Sequence, residues 1–468
     1  MRARGLREQG QALLWFLGTV AASSAIMFAV FNAGQVTAAK QKVVNAADAG
    51  ALAGAMTEAR ILNTMAYGNR AIVANEVLIV QLVSLDSWTR YMTTAANGIK
   101  TYSKLIPYVG NAISAIFQAV EQITKSADNM LTKAIIPGAV AAEEVFKGMG
   151  AALHFAFRQS GFLLAQSVAS QVVEQNKTTF GNRSDTAPTI PWAETLVFAT
   201  ANQNQWSDLT RQYSGNDRTR SRDVILASRD AFSTENGRQG NALMNLKVPY
   251  VFELDKTGGT RLQGFDRWEA QDAWDLSAVW DYKKWKWRKK VPLGWGRATL
   301  AKDTTNGTKW GSSKAQKRAY QNTNKFSGWT GIPALYDVRD RTDQDPRVQF
   351  MLYVVKAESA TFTTKKLGMA KDVAMPVGSP NADEKTAKDR VASLSKAEVY
   401  FARPQRGVGD WTADGWGGGA TLFRADGAKE YGSLYSPFWQ ARLAAVTDAE
   451  KIVAAAAAGV VLPPGVLQ

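Results

Sequence analysis

The first pattern along the chain is an apolar run behind a basic terminus. Residues 1–10 hold three arginines and one glutamate, and no charged residue occurs from 11 to 39. As a helix, the mostly apolar stretch 12–31 would span about 30 Å, the thickness of a bilayer's hydrocarbon core. The pattern predicts a transmembrane anchor. The anchoring side chains are those of Ala12, Leu13, Leu14, Trp15, Phe16, Leu17, Ile26, Met27, Phe28, Val30 and Phe31.

A cleaved secretory signal is the competing interpretation of this run. The apolar core of such a signal normally has about 7 to 15 residues before a small-residue cleavage site. Small residues cluster at 21–25 and around Ala38, so cleavage sites are available. Because the arginines precede the run, the positive-inside tendency places the amino terminus in the cytoplasm and the long remainder outside.

The next hundred residues have a helical pattern. No proline occurs before Pro107, and residues 36 to about 99 are rich in Ala, Leu, Val and Met. This favours one long helix, or two stacked helices, continuing from the membrane segment. The stretch 71–85 is apolar nearly all round, so we expect other protein to enclose it. A second membrane span there is disfavoured by its short length and by Glu76.

Further helices are expected over residues 107–180, bounded by Pro107 and by Pro137-Gly138. The polar, proline-containing stretch 182–192 then predicts a linker or domain edge. Beyond it the period shifts towards two, which indicates strands. The predicted strands are 248–254, 274–287, 348–357 and 397–402.

Glycines and caps complete the pattern. Gly258-Gly259 offers a turn after the first predicted strand, and the glycine-rich stretches 294–296 and 415–419 are interpreted as loops. Thr447 and Glu450 form a capping box that begins a last helix. The predicted fold class is α+β. The predicted segments are a cytoplasmic terminus 1–10, a transmembrane helix 11–35, a helical stalk or bundle 36–180, and an exported head 181–468 with a carboxy-terminal helix.

Composition narrows the chemistry. The chain has no Cys and one His, which excludes disulfides, thiolate nucleophiles, cysteine-held metals and His-rich metal centres. That histidine, His154, stands in an apolar stretch and is interpreted as a core residue rather than a catalytic one. Catalysis by two carboxylates stays open in principle, although the sequence singles out no pair among 41 acids. We expect the chain to bind no cofactor and to have no enzymatic activity.

A basic, tryptophan-containing run is the strongest local charge signal in a chain of net charge +15. Its cations and indoles are suited to phosphates, bases or sugars, and also to an anionic membrane surface. The alternative is a solvated hairpin edge, on which lysines discourage strand addition. The run consists of Lys283, Lys284, Trp285, Lys286, Trp287, Arg288, Lys289 and Lys290.

One segment of the predicted helical region resembles a known protein family. The stretch Asn63–Glu76 (NTMAYGNRAIVANE) resembles TadE/TadG-like Flp pilus-assembly proteins, and Val43–Gly54 fits the same pattern of small residues after the anchor. Tyr431–Leu443 is similar to the carboxy-terminal sequence of larger members. The asparagines at 63, 69 and 75 either hydrogen-bond across helices in an assembly or face solvent. The candidate residues for subunit packing are Asn63, Met65, Tyr67, Asn69, Arg70, Ala74 and Asn75.

The resemblance implies a single-pass protein of the bacterial inner membrane that acts in a Tad-type pilus or a related secretion system. The implied partners are other pilus or envelope subunits, or a second copy of the chain. Two departures matter: Trp15 stands where a processed prepilin has Glu, and the Asp-x-Ser-x-Ser motif of von Willebrand A domains is missing. The sequence therefore predicts a pilin-like or pilus-assembly structural subunit. The alternative is a tethered module that binds nucleic acid or anionic polysaccharide through the basic run.

Overall fold

The computed structural model describes residues 8–103, 110–177, 179–180, 183–184, 186–242, 244–281, 286–339, 345–357, 390–403 and 430–457. Its helices are α1 Glu8–Ser103, α2 Gly110–Met130, α3 Ile136–Gln175, α4 Trp192–Leu209, α5 Thr219–Ala227, α6 Lys314–Gln321 and α7 Asp448–Ala457. Its first strands are β1 Thr179–Phe180, β2 Arg183–Ser184, β3 Thr210–Gln212, β4 Lys247–Val248, β5 Phe252–Gln263 and β6 Arg267–Asp281. The remaining strands are β7 Lys286–Ala301, β8 Asn324–Phe326, β9 Tyr336–Val338, β10 Val348–Ala357, β11 Arg390–Phe401 and β12 Trp439–Ala444. The predicted α+β class is confirmed.

The amino-terminal pattern folds as one helix. α1 has 96 residues, so the alternative of two stacked helices is wrong. Continuity follows from the absence of proline before Pro107 and from the many strong helix formers.

The helix continues from α2 to α3 through a π-helical turn at residues 131–135. The N–H of Ile136 donates to the carbonyl of Leu131, which is the longer π-type spacing. Pro137 follows directly in the first turn of α3, and it has no N–H to donate to the preceding turn. The boundary predicted at Pro137-Gly138 is therefore a local π-helical irregularity in a continuing helix.

The chain forms two compact units, each of which combines stretches of the long helices with later strands. Unit 1 comprises residues 1–64, 156–211 and 338–468, and unit 2 comprises residues 65–155 and 212–337. The four predicted segments stay a prediction.

Unit 2 contains a sheet of five strands in the order β4-β5-β6-β7-β8. Neighbours are antiparallel except for β7 and β8, which are parallel. The turn predicted at Gly258-Gly259 is wrong, because both residues lie within β5 and pair with β6. A Cβ on Gly259 would overlap the carbonyl oxygen of Glu235, so glycine here permits a close backbone approach.

The glycines at 294 and 296 need the same correction. The loop that the sequence predicts at these residues is wrong, because both lie within β7. A Cβ on Gly294 would come within 2.7 Å of the Cβ of Ala95, and one on Gly296 would overlap backbone atoms of Ser87 and Tyr91. The glycines therefore let α1 lie directly on the strand. The second predicted loop, 415–419, falls outside the described residues.

Unit 1 contains an antiparallel sheet in the order β10-β11-β12. Strand β10 has the predicted bounds, and the helix start predicted at Thr447 is also found, with reciprocal bonds between Thr447 and Glu450. On one face of β10, Phe350 packs against Phe162 of α3, with ring centroids 6.3 Å apart. On the other face, Met351 forms a cluster with Phe198 of α4 and Ala454 of α7. The strand is buried on both faces, which explains its nearly continuous apolar sequence.

Candidate membrane anchor and assembly surface

The amino-terminal part of α1 exposes its apolar side chains. Trp15 is 77% exposed, and an apolar window of this helix has no residue buried in the protein. Among the described residues, α1 is the one helix long and apolar enough to cross a membrane. Of the predicted anchor residues, Phe28 and Phe31 are half-buried, and the others are exposed. The exposed set includes Ala12, Leu13, Leu14, Trp15, Phe16, Leu17, Ile26, Met27 and Val30.

One polar side chain of this stretch, Thr19, fits an apolar surrounding. The hydroxyl of Thr19 donates to the carbonyls of Trp15 and Phe16, both at 2.9 Å. Its hydrogen is therefore satisfied within the helix, as a lipid environment requires. Burial begins directly beyond the run, with Asn32, and continues with Ala39 and Val43. The first cation after the run, Lys40, donates to the carbonyl of Ala392. The apolar surface thus ends where the helix enters the body of unit 1.

The segment that carries the family resemblance uses its first asparagine inside unit 1. Asn63 donates from Nδ2 to the carbonyl of Trp439 at 2.9 Å and accepts from the N–H of Trp439 at 3.0 Å. The amide thus imitates a neighbouring strand at the start of β12. Sequence separation hid this pairing, because the two residues stand 376 positions apart.

In unit 2 the other two asparagines also have partners within the chain. Asn69 donates to the carbonyl of Tyr336 at 2.8 Å, and Asn75 donates to Glu143 Oε2 at 2.6 Å. The structure therefore shows a third possibility beside the two considered from sequence, namely hydrogen bonds within the same chain. Met65 is buried as well. The candidates for subunit packing that stay exposed are Tyr67, Arg70 and Ala74.

Two glutamates on α1 are buried, and neither is among the site residues predicted from the sequence. Glu58 and Glu76 are 18 residues apart, about five turns, so they share one face of the helix. Two acids separated by a whole number of helical turns in an otherwise apolar sequence are the signal from which this buried pair could have been predicted.

Glu58 is fully buried in unit 1, and no donor among the described residues reaches either carboxyl oxygen. Burial disfavours the ionised form, so the pKa of Glu58 lies well above its usual value.

Glu76 lies in an acidic and basic cluster of unit 2. Its Oε1 accepts a hydrogen bond from Trp329 Nε1 at 3.0 Å and lies 3.4 Å from Lys147 Nζ. Burial, and then the neighbouring Glu143, raise the pKa of Glu76, while Lys147 opposes the rise. The cluster ties α1 to α3 and to the loop that carries Trp329.

The basic run lies only partly within the described residues. Lys283, Lys284 and Trp285 fall outside them, and Lys286–Lys290 form the start of β7, paired with the end of β6. Lys290 is exposed. The antiparallel pairing with β6 agrees with the interpretation of the run as part of a hairpin. Contact of the run with an anionic surface stays a prediction.

These features define a class: an α+β protein with an exposed apolar helix at its amino terminus. Residues 10–57 match the model of the Tad family, described as Flp pilus-assembly TadE/G-like, which confirms the family resemblance in the amino-terminal region. The match includes the anchor and Val43–Gly54 and ends before Asn63. No curated protein and no solved structure matches the chain. The helix and the family match together indicate a membrane-anchored envelope protein with a role related to pilus assembly.

Charges within the anchor should release the chain from the membrane. We expect the double variant Val20→Arg/Ile26→Arg to lose its carbonate-resistant membrane fraction, because each central arginine costs about 2.5–3.5 kcal/mol on insertion scales. The matched control is Leu78→Arg/Leu85→Arg, which alters two exposed leucines of α1 outside the run. Equal membrane fractions for the two double variants would contradict the anchor.

Replacing the buried Glu58 should change how stability depends on pH. Since the folded state holds the proton more tightly, stability is full below the unfolded-state pKa and falls as pH rises from there towards the raised folded-state pKa. Glu58→Gln imitates the protonated acid. We expect it to raise the free energy of unfolding at pH 8 by about 1–3 kcal/mol and to change it little at pH 4.

Denaturant unfolding of the detergent-solubilised chain at both pH values measures this difference. The control is Glu174→Gln, at an exposed glutamate of α3 in the same unit, which should follow wild type at both. A Glu58→Gln protein that is less stable than wild type at pH 8 would show that the carboxylate is stabilised by a partner.

Proposed function

We propose that the chain is a non-catalytic structural subunit of a Tad/Flp-type pilus or its assembly machinery, and that it assembles through its amino-terminal helix. The observation that carries the proposal is the exposed apolar surface of residues 12–31 inside the matched region 10–57. Its partners are other pilus or envelope subunits, including copies of itself. An activity on a sugar polymer that survives purification would contradict the non-catalytic part.

Small residues on the anchor support assembly within the membrane. Lipid tails are as apolar as leucine, so helices associate there through close packing, which small residues permit. Gly18, Ala22 and Ala25 lie within about 60° of one another around the helix axis at 100° per residue. A Cβ on Gly18 would meet nothing within 4 Å, so this face is open to a neighbouring helix. The opposite face carries Val20 and Met27.

We also propose an orientation and an extent for each segment. The three arginines before the anchor favour a cytoplasmic terminus 1–10, with the helix 11–35 spanning the inner membrane. Residues 36–180 and 181–468 then lie on the periplasmic or extracellular side.

Single cysteines test this orientation, because the native chain has none. We expect Ser228→Cys to react with a membrane-impermeant maleimide in intact spheroplasts, since Ser228 is exposed and lies beyond the anchor. Gln9→Cys should react only after the cells are lysed. The reverse pattern of labelling would overturn the orientation.

Cross-linking tests assembly through the helix. A disulfide requires Cα atoms about 4.4–6.8 Å apart, so only residues that face a neighbouring helix closely are joined. We expect Ala22→Cys and Ala25→Cys to give covalent dimers when membranes are oxidised. Val20→Cys and Met27→Cys, on the opposite face, should give few.

The cross-linking result requires that all four variants reach the membrane in equal amounts. Under that condition, monomers at every position would contradict assembly of copies through this helix, and equal dimers at every position would indicate random collision.

A further inference from the structure

Unit 2 contains a cavity of about 300 Å³, which is within the range of small-molecule sites. Its walls come from α1, α3, the region around Gln212 and Arg218, and the segment 330–336. Ile72, Ala151 and Leu335 give it an apolar side, and His154 lies in its wall. None of its lining residues belongs to the anchor or to the proposed assembly face.

The protonation of His154 follows from its neighbours. Asn69 donates from Nδ2 to Tyr336, which leaves its Oδ1 as the acceptor for His154 Nε2 at 3.1 Å. The hydrogen of the neutral ring is therefore on Nε2, and Nδ1 carries a lone pair. Burial lowers the pKa of His154 to about 4, so the ring is neutral at physiological pH.

Nδ1 of His154 has no hydrogen-bond donor among the described residues, although the side chain is only 2% exposed. The ring is fixed by stacking on Tyr336, with centroids 4.8 Å apart and planes 6° from parallel. A buried acceptor left without a donor costs about 1–3 kcal/mol. This atom is thus a fixed acceptor, and its histidine lines the cavity.

The other polar side chains of the wall are already engaged. Lys147 donates to the carbonyl of Gly331 at 2.8 Å and pairs with Glu144 at 3.1 Å. Arg218 donates to the carbonyl of Ile332 at 2.8 Å, and Gln212 donates to that of Ala334 at 3.2 Å. Arg218 also pairs with Asp266 at 3.3 Å. Both cations, Lys147 and Arg218, therefore already have a carboxylate partner, so the cavity does not select an anion.

We propose that this cavity binds a small neutral molecule whose apolar body lies against Ile72 and Leu335 and whose single O–H or N–H donates to Nδ1 of His154. An apolar wall with one unsatisfied acceptor is complementary to that chemistry. An ionised ligand would have to leave water without a free opposite charge to receive it.

The chain's single histidine gives a direct test on the full-length protein in detergent. With ¹⁵N-labelled histidine, the imidazole gives one pair of ring nitrogen resonances. The probe is 2-pyrrolidone, a neutral ring with one N–H, and the matched control is N-methyl-2-pyrrolidone, which lacks the donor. We expect 2-pyrrolidone to shift the Nδ1 resonance saturably and the control to bind about five- to tenfold more weakly.

Two results would overturn the proposal. One is an Nδ1 resonance that 2-pyrrolidone leaves unchanged at millimolar concentrations, which would mean that the site excludes such ligands or is filled by water. The other is equal affinity for the two probes. His154→Phe keeps a ring against Tyr336 but removes the acceptor, so it should bind both probes equally and weakly in ligand-observed NMR. Because the wild-type titration stands alone, a misfolded variant would not decide the outcome.

Discussion

The structure depends on how the buried face of α1 satisfies its polar side chains. This face is mainly small and apolar, but it carries amides, hydroxyls and acids at intervals, and buried polar groups without partners are costly. The partners come from far along the chain. In unit 1, Asn63 pairs with the backbone of Trp439. In unit 2, Glu76 accepts from Trp329, and Ser87 donates to Asp272. Each bond fixes the position along α1 at which a segment from much later in the chain packs. Within each unit, the polar residues of α1 therefore position the segments that pack on it.

Features set by local physics could be predicted from the sequence. The anchor could be predicted from composition, because a helix needs only sufficient length and apolar side chains to span the hydrocarbon core of a bilayer. Strand β10 and the cap at Thr447 depend on neighbours in sequence, and both were found where predicted. The turn and the loop predicted at the glycines were wrong for the opposite reason. Gly259 and Gly296 serve a backbone that approaches from another part of unit 2, and no local pattern records that approach.

The candidate assembly surface shows the same limit. A polar residue in apolar helical text must meet something, yet the sequence does not say whether the partner is solvent, another subunit or the same chain. Asn69 and Asn75 turn out to be engaged within unit 2, whereas Tyr67 and Ala74 are exposed. Glu58 differs from these asparagines, since no described donor reaches either of its carboxyl oxygens. A protonated acid there reconciles burial with the lack of a partner.

Helix geometry links the membrane face of α1 to the packing of unit 1. Gly18 and Gly54 are 36 residues apart, about ten turns, so they lie on the same face of an uninterrupted helix. A Cβ on Gly54 would overlap the ring of Phe350, so this is the face that α1 turns towards β10. A neighbouring helix packed against Gly18 therefore lies on the side of α1 that carries strand β10. On that side the body of unit 1 follows farther along α1, so copies joined through Gly18, as proposed, would have to pack around it.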